Sequence, residues 1–205
     1  MVAQLSQPWC MTVDQWRELE WQSHDIKHEY INGRVYAMAG GSRAHGRISS
    51  NIVRMLEDAL DNSPCNVYNS DVAARLSPTC YLYPDVTVTC DEQDQATPDE
   101  TEIQSPRVIV EVLSEGTEAY NRGEKFALYR ACPTVQEYVL VSTKYQAVEV
   151  FRRTLKGWEY QAYGPSNEVE LTSIGVCFPV SALYRRTTVP ETLDGTEEKY
   201  RNKQV

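Results

Sequence analysis

Two carboxylates in strand-like stretches, where apolar side chains belong, are the residues of this chain best suited to chemistry. Arg107-Val108-Ile109-Val110-Glu111-Val112-Leu113-Ser114 is β-branched and aliphatic enough for a buried strand, yet it carries Glu111. Period-two alternation puts Val108, Val110 and Val112 on one face and Ile109, Glu111 and Leu113 on the other. A bare carboxylate in that oily row is costly to desolvate or takes up a proton. It therefore calls for a cation, a donor network or a metal, unless the strand end is exposed. A second β-rich run, Tyr83-Pro84-Asp85-Val86-Thr87-Val88-Thr89, is opened by proline and sets Asp85 on the Tyr83/Thr87 face. Acids converging from neighbouring strands suit a divalent cation with oxygen ligands. Between the runs, Cys90 to Pro106 holds Asp91, Glu92, Asp94, Asp99, Glu100 and Glu102, a density of like charge that predicts a solvated loop.

The elements that must position these acids can be read along the chain. Thr12-Val13-Asp14-Gln15 has capping-box spacing and predicts a helix through about Gln22. In His28-Glu29-Tyr30-Ile31-Asn32-Gly33-Arg34-Val35-Tyr36-Ala37-Met38, Asn-Gly between alternating apolar residues predicts a hairpin, with Glu29 near its junction with the helix. From local sequence alone, Glu29 reads as a solvent-facing strand acid. Residues 43–61 carry helical periodicity, with Ile48, Ile52, Met55, Leu56 and Ala59 on one side and Arg43, Arg47 and Arg54 opposite. That arginine stripe could touch phosphates or be a plain solvated face, diluted by Glu57 and Asp58. His45, on the apolar side near the helix start, either points into a site or is a satisfied core histidine. Residues 66–76 predict one or two strands with Asp71 near their middle.

A helix is predicted from about Glu118 to Ala131, ending before Pro133, with Arg122, Lys125, Phe126 and Tyr129 on one stripe. If it runs back antiparallel to the Glu111 strand, seven residues at about 1.5 Å return Lys125 roughly 10 Å. Two or three strand residues at about 3.3 Å cover a comparable distance, so Lys125 would lie level with Glu111. The alternative is a lysine snorkelling at the rim of the stripe. Stretches 136–142, 147–152 and 157–163 predict three successive strands joined as hairpins, and Val180 to Tyr184 a closing turn of helix. The folded domain is expected to span residues 1–185, with a loosely held polar tail over 186–205.

Composition narrows the classes. The 205 residues, 41% hydrophobic and 24% charged, fit one compact domain. With 20 basic against 29 acidic residues the net charge is -9, which argues against bulk, sequence-blind nucleic-acid binding but leaves room for a local basic patch. The six cysteines form no Cys-x-x-Cys pair, and they read as reduced thiols of a cytoplasmic protein, neither a zinc site nor a disulfide framework. No stretch approaches a membrane span, and there is no internal repeat.

Taken together, the Glu29 hairpin, the His45 helix, Tyr83-Pro84-Asp85-Val86, Val110-Glu111-Val112-Leu113-Ser114, Gly123-Glu124-Lys125-Phe126-Ala127-Leu128-Tyr129-Arg130 and Glu137-Tyr138-Val139-Leu140-Val141 resemble the bacterial Uma2 family of restriction-endonuclease-like proteins. The resemblance runs from about Thr12 to Tyr184 and implies the PD-(D/E)XK nuclease superfamily. The implied fold is α+β, a mixed sheet flanked by helices, here extended by C-terminal hairpin strands. It implies Asp85 and Glu111 as the motif acids and Glu29 as an acid supplied from the N-terminal region. Two departures stand out. Leu113 occupies the place where the superfamily's lysine usually follows the motif Glu, and Lys125 on the next helix replaces it. Asn121 stands where relatives commonly carry aspartate.

The resemblance implies metal-dependent hydrolysis of phosphodiester bonds, with DNA as partner and a homodimer as the assembly suited to cutting both strands. Asp85, Glu111 and the Val112 carbonyl are expected to hold Mg²⁺ or Mn²⁺, with Glu29 and Lys125 completing the catalytic set. His45, Arg43, Arg47 and Arg122 are expected to contact substrate. Two other classes stay open: a nuclease-fold interaction module, and a carboxylate-pair glycosidase that uses no metal.

Overall fold

The computed structural model describes residues 3–4, 10–38, 40–96 and 101–193. In chain order the elements are β1 (Ala3–Gln4), α1 (Val13–Gln22), β2 (His28–Ile31), β3 (Arg34–Ala37), α2 (Arg43–Leu60), β4 (Asn66–Asn69), β5 (Ala73–Ser77), β6 (Cys80–Leu82) and β7 (Val86–Thr89). There follow α3 (Glu92–Ala96), β8 (Glu102–Ile103), β9 (Pro106–Val112) and α4 (Glu118–Tyr120). A π-helical turn over Asn121–Lys125 continues into α5 (Phe126–Ala131). The chain closes with β10 (Glu137–Val141), β11 (Val148–Thr154), β12 (Gly157–Tyr163), β13 (Glu168–Leu171), β14 (Val176–Pro179) and α6 (Val180–Leu183).

Two mixed six-stranded sheets form the body, one ordered β1-β3-β2-β6-β5-β8 and the other β12-β11-β10-β9-β7-β4, with β13 and β14 paired apart. The central β9 lies parallel to β10 and antiparallel to β7. A parallel pair needs a crossover, and the α4–α5 helix supplies it, which is why that helix returns across the sheet. Both faces of β9 are covered. Val108, Val110 and Val112 pack with Ile48, Ile52 and Leu56 of α2, whereas Ile109 and Leu113 pack with Tyr129 of α5 and with Ala74, Leu76, Cys80 and Leu82 of the other sheet. The alternation expected from sequence is the one observed.

Local chemistry explains the ends. Thr12 caps α1 through the expected reciprocal box with Gln15. Asn32 (φ 49°) and Gly33 (φ 87°) make the two-residue β2–β3 turn, and a Cβ on Gly33 would come within 2.7 Å of Cys10 Sγ. Trp16 on the buried side of α1 packs in tilted contact with Tyr30 and Tyr81, and its indole N–H donates to the His28 carbonyl at 2.7 Å, which docks α1 beside the Glu29 strand.

Three expectations are corrected. The acidic connection after β7 is not simply a solvated loop, because it contains α3 and β8. Asp94 is buried there, accepting from Thr89 Oγ1 and the Gln104 and Ser105 amides, and Glu102 is buried against Arg17. Residues 97–100 of that connection lie outside the described residues. Cys65 and Cys90 are not reduced thiols. They sit just beyond the Asn66/Thr89 pair of β4 and β7 and are joined by a disulfide, leaving Cys10, Cys80, Cys132 and Cys177 free. Of the one or two strands expected over residues 66–76, two are observed, β4 and β5, with Asp71 in the turn between them and paired with Lys27. Chain packing also continues past Arg186: Val189 joins the core, and the Gln146 amide donates to the Pro190 carbonyl. The rest of the expected tail, 194–205, lies outside the described residues. Among the described residues no helix is long and apolar enough to cross a membrane.

Candidate active site

The β7–β9 pairing brings the two strand acids together. The register matches Val86 with Val110 and Thr87 with Ile109, so one further step sets Asp85, just before β7, opposite Glu111. Asp85 Oδ2 accepts the Val112 amide at 2.7 Å, which ties it to the end of β9. Glu111 Oε1 accepts the Tyr129 hydroxyl at 2.6 Å and lies 2.8 Å from Lys125 Nζ. Glu29, carried by β2 of the other sheet, is 2.9 Å from the same amine and accepts the Tyr83 amide at 3.2 Å through Oε1. Glu29, Glu111 and Lys125 are only 3%, 4% and 5% exposed.

Lys125 reaches this point because the helix widens there. Asn121–Lys125 form a π-helical turn, in which Asn121 and Lys125 are both buried, and Tyr129 follows one turn later on the same side. From the first turn of α2, whose N-cap is Ser42, His45 Nε2 comes within 3.2 Å of Asp85 Oδ2. A cavity of about 120 Å³ is lined by Glu29, His45, Tyr83, Asp85, Glu111, Val112, Asn121 and Lys125, among others.

The cluster is short of positive charge. Fully ionised, Asp85, Glu29 and Glu111 oppose one ammonium, with His45 as a conditional second cation. Burial pushes the Glu111 carboxyl up to about 7, helped by the neighbouring Asp85 charge and opposed by Lys125 and Tyr129. Burial pulls the Lys125 amine down, but Glu111 and Glu29 more than offset it and hold the amine well above its ordinary value. His45 is likewise raised: burial pulls it down, and Asp85, Glu111 and the Val112 carbonyl together pull it up further.

The donor set fits a hard divalent cation. Asp85 and Glu111 each commit one oxygen to protein donors, and the other, Oδ1 or Oε2, has no hydrogen-bond partner among the described residues, in side chains that line the cavity. The fit is to these two carboxylates with a backbone carbonyl. Among the described residues, no group of three or more His, Cys, Asp or Glu side chains is arranged to hold a metal.

Of the residues singled out from sequence, Glu29, His45, Asp85, Glu111, Val112 and Lys125 meet around one cavity. Glu29 is buried and does not face solvent. Arg122 is placed elsewhere, its guanidinium forked onto Glu149 at 2.7 Å by both Nη atoms and onto Glu118 at 3.0 Å by Nε. Arg43 and Arg47 line a separate cleft. Sequence reasoning treated Tyr129 only as a packing residue. Its spacing four residues after Lys125 was the available signal that its hydroxyl shares the Glu111 pocket.

Comparison with known proteins shows the family and the fold. The profile of Uma2, described as "Putative restriction endonuclease", matches residues 13–184. Two proteins of Synechocystis sp. are similar. "Uncharacterized protein slr1290" is 40% identical over 170 residues, covering 82% of this chain and 88% of that protein. "Uncharacterized protein sll1609" is 30% identical over 128 residues, covering 62% and 72%. A crystal structure from Anabaena variabilis, titled as a putative nuclease belonging to DUF820, superposes with a TM-score of 0.70 at 16% identity, covering 85% of this chain and 97% of that one. At that identity the likeness speaks for the fold.

Proposed function

Because this chain belongs to the Uma2 family, we propose that it is a metal-dependent endonuclease hydrolysing phosphodiester bonds, with DNA as its substrate. The observation that carries the reading is the meeting of Asp85, Glu111 and Lys125 around one cavity, with a free oxygen on each acid. Asp85, Glu111 and the Val112 carbonyl would hold Mg²⁺ or Mn²⁺, which when bound supplies Lewis-acid activation of water and charge neutralisation. Lys125 keeps its proton, so it acts as a cation and not as a base. Two of its three donors fix Glu29 and Glu111, and the third is available to a phosphate oxygen or the attacking water. Tyr129 and Lys125 together hold Glu111 Oε1, which would leave Oε2 for the metal. Glu29 sets the amine's position and can orient a water.

Purified protein incubated with supercoiled plasmid should nick or linearise it in Mg²⁺ or Mn²⁺ and not in chelator. The Asp85→Ala, Glu111→Ala double variant should leave the plasmid intact. Cutting that survives in the double variant, or no cutting of plasmid, single-stranded DNA or RNA by the unaltered chain, contradicts the reading.

One observation favours a second reading, a nuclease fold kept as an interaction module: the cavity wall carries Asn121 and no carboxylate at that helix position. It predicts an intact fold, no cleavage of any nucleic acid, and a partner recovered by pull-down.

A further inference from the structure

Beside the acidic cavity, around the α2 helix, lies a cleft of about 470 Å³ lined by Arg43, Gly46, Arg47, Ser50 and Arg186. On a chain of net charge -9 this is an unusual surface. Arg43, Arg47 and Arg186, like several other arginines, form no ion pair among the described residues, but these three share one cleft. Three guanidinium groups sharing a cleft repel one another unless an anion joins them.

The third arginine is delivered by a built connection. Asn51, buried on α2, donates to the Leu183 carbonyl at 2.8 Å and the Arg185 carbonyl at 2.9 Å, clamping the turn after α6 against the helix that carries Arg43 and Arg47. Thr187 donates back to the Tyr184 carbonyl, and between these ties Arg186 takes a left-handed backbone (φ 61°), a conformation that costs an arginine free energy. The fold thus spends local strain on a residue whose side chain borders the cleft.

We propose that Arg43, Arg47 and Arg186 form a binding site for the phosphodiester backbone of nucleic acid, which holds the substrate away from the reacting phosphate. This rests on the nuclease reading and extends it. Arg43 and Arg47 lie one turn apart, about 6 Å along the axis, and about 160° around α2 from His45, on the order of one helix diameter (about 10 Å) from the acidic cavity. The gripped phosphates are therefore not the scissile one but neighbours on the same or the opposite strand. Asp85, Glu111 and Glu29 repel a polyanion, so an attractive patch within a few nucleotides of them retains substrate where the reaction centre alone would not.

The test is binding of a fluorescent DNA duplex by anisotropy in chelator, where nothing is cut, at several salt concentrations. Each phosphate contact contributes about 0.9 to the slope of log K against log salt. Arg43→Gln, Arg47→Gln, Arg186→Gln should lower the slope by about 2–3, Arg186→Gln alone should lower it by about 1, and Arg186→Lys should restore most of the affinity. Thermal unfolding confirms that the variants stay folded. If the unaltered chain binds duplex and the triple variant keeps the same affinity and slope, this inference is wrong and the nuclease reading stands. If the unaltered chain binds neither duplex, single-stranded DNA nor RNA, in chelator or with Ca²⁺ in its place, both fail.

Discussion

Lys125 carries the electrostatic balance of the cavity, touching two buried carboxylates at 2.9 and 2.8 Å. Replacing it with methionine leaves Glu29 and Glu111 buried without a counter-charge, a change that typically costs about 3–5 kcal/mol. Urea unfolding in chelator at pH 8 should show that loss for Lys125→Met, and a smaller one at pH 5, below the raised Glu111 value, as that acid protonates. A loss below about 1 kcal/mol at pH 8 would mean the amine is not the partner described. Glu111 makes a separate prediction with a definite sign. Its carboxyl rises from 4.5 to about 7 on folding, so the native state binds the proton more tightly than the unfolded chain. In metal-free protein its contribution is flat below pH 4.5, becomes progressively destabilising up to about pH 7, and is constant above. The slope reaches at most about 1.4 kcal/mol per pH unit. Glu111→Gln should remove that segment of the stability profile; an unchanged profile would place the titration on another group.

The helix that carries Lys125 and the strand that carries Glu111 were legible because both reveal themselves by period, and level-matching along a crossover needs only rise per residue. Glu29 was not legible in the same way. Its β2 strand belongs to one sheet and Glu111 to the other, and local alternation contains nothing about how two sheets face each other. The acidic connection misled for a related reason: Asp94 is buried because three donors supplied by Thr89, Gln104 and Ser105 surround it, and charge density alone carries no record of them. The β4–β7 pair was also invisible as a cysteine partnership, since Cys65 and Cys90 are 25 residues apart with no spacing motif. Denatured, unreduced protein should therefore titrate four thiols of the six cysteines. Six would contradict the disulfide. Cys65→Ser, Cys90→Ser should cost about 2–4 kcal/mol of stability by the loop-closure argument.

Across the molecule, the acids and the amine come from β2, the β7 entry, β9 and the π-helical turn, so the cavity exists only when both sheets and the crossover helix are assembled. That dependence explains why six of the sequence-derived site residues converge while Arg122, exposed on the outer side of the same helix, turns to Glu118 and Glu149. It also separates two surfaces of opposite character, an acidic cavity suited to a cation and an arginine cleft suited to phosphates, on either side of α2. The claim on which the rest depends is that Asp85 and Glu111 share one divalent ion. Anomalous diffraction from a crystal soaked in Mn²⁺ tests it most directly. The account predicts a peak within about 2.0–2.3 Å of one oxygen from each of the two carboxylates. A soaked crystal with no peak there, or with manganese bound only at other acids, would contradict it.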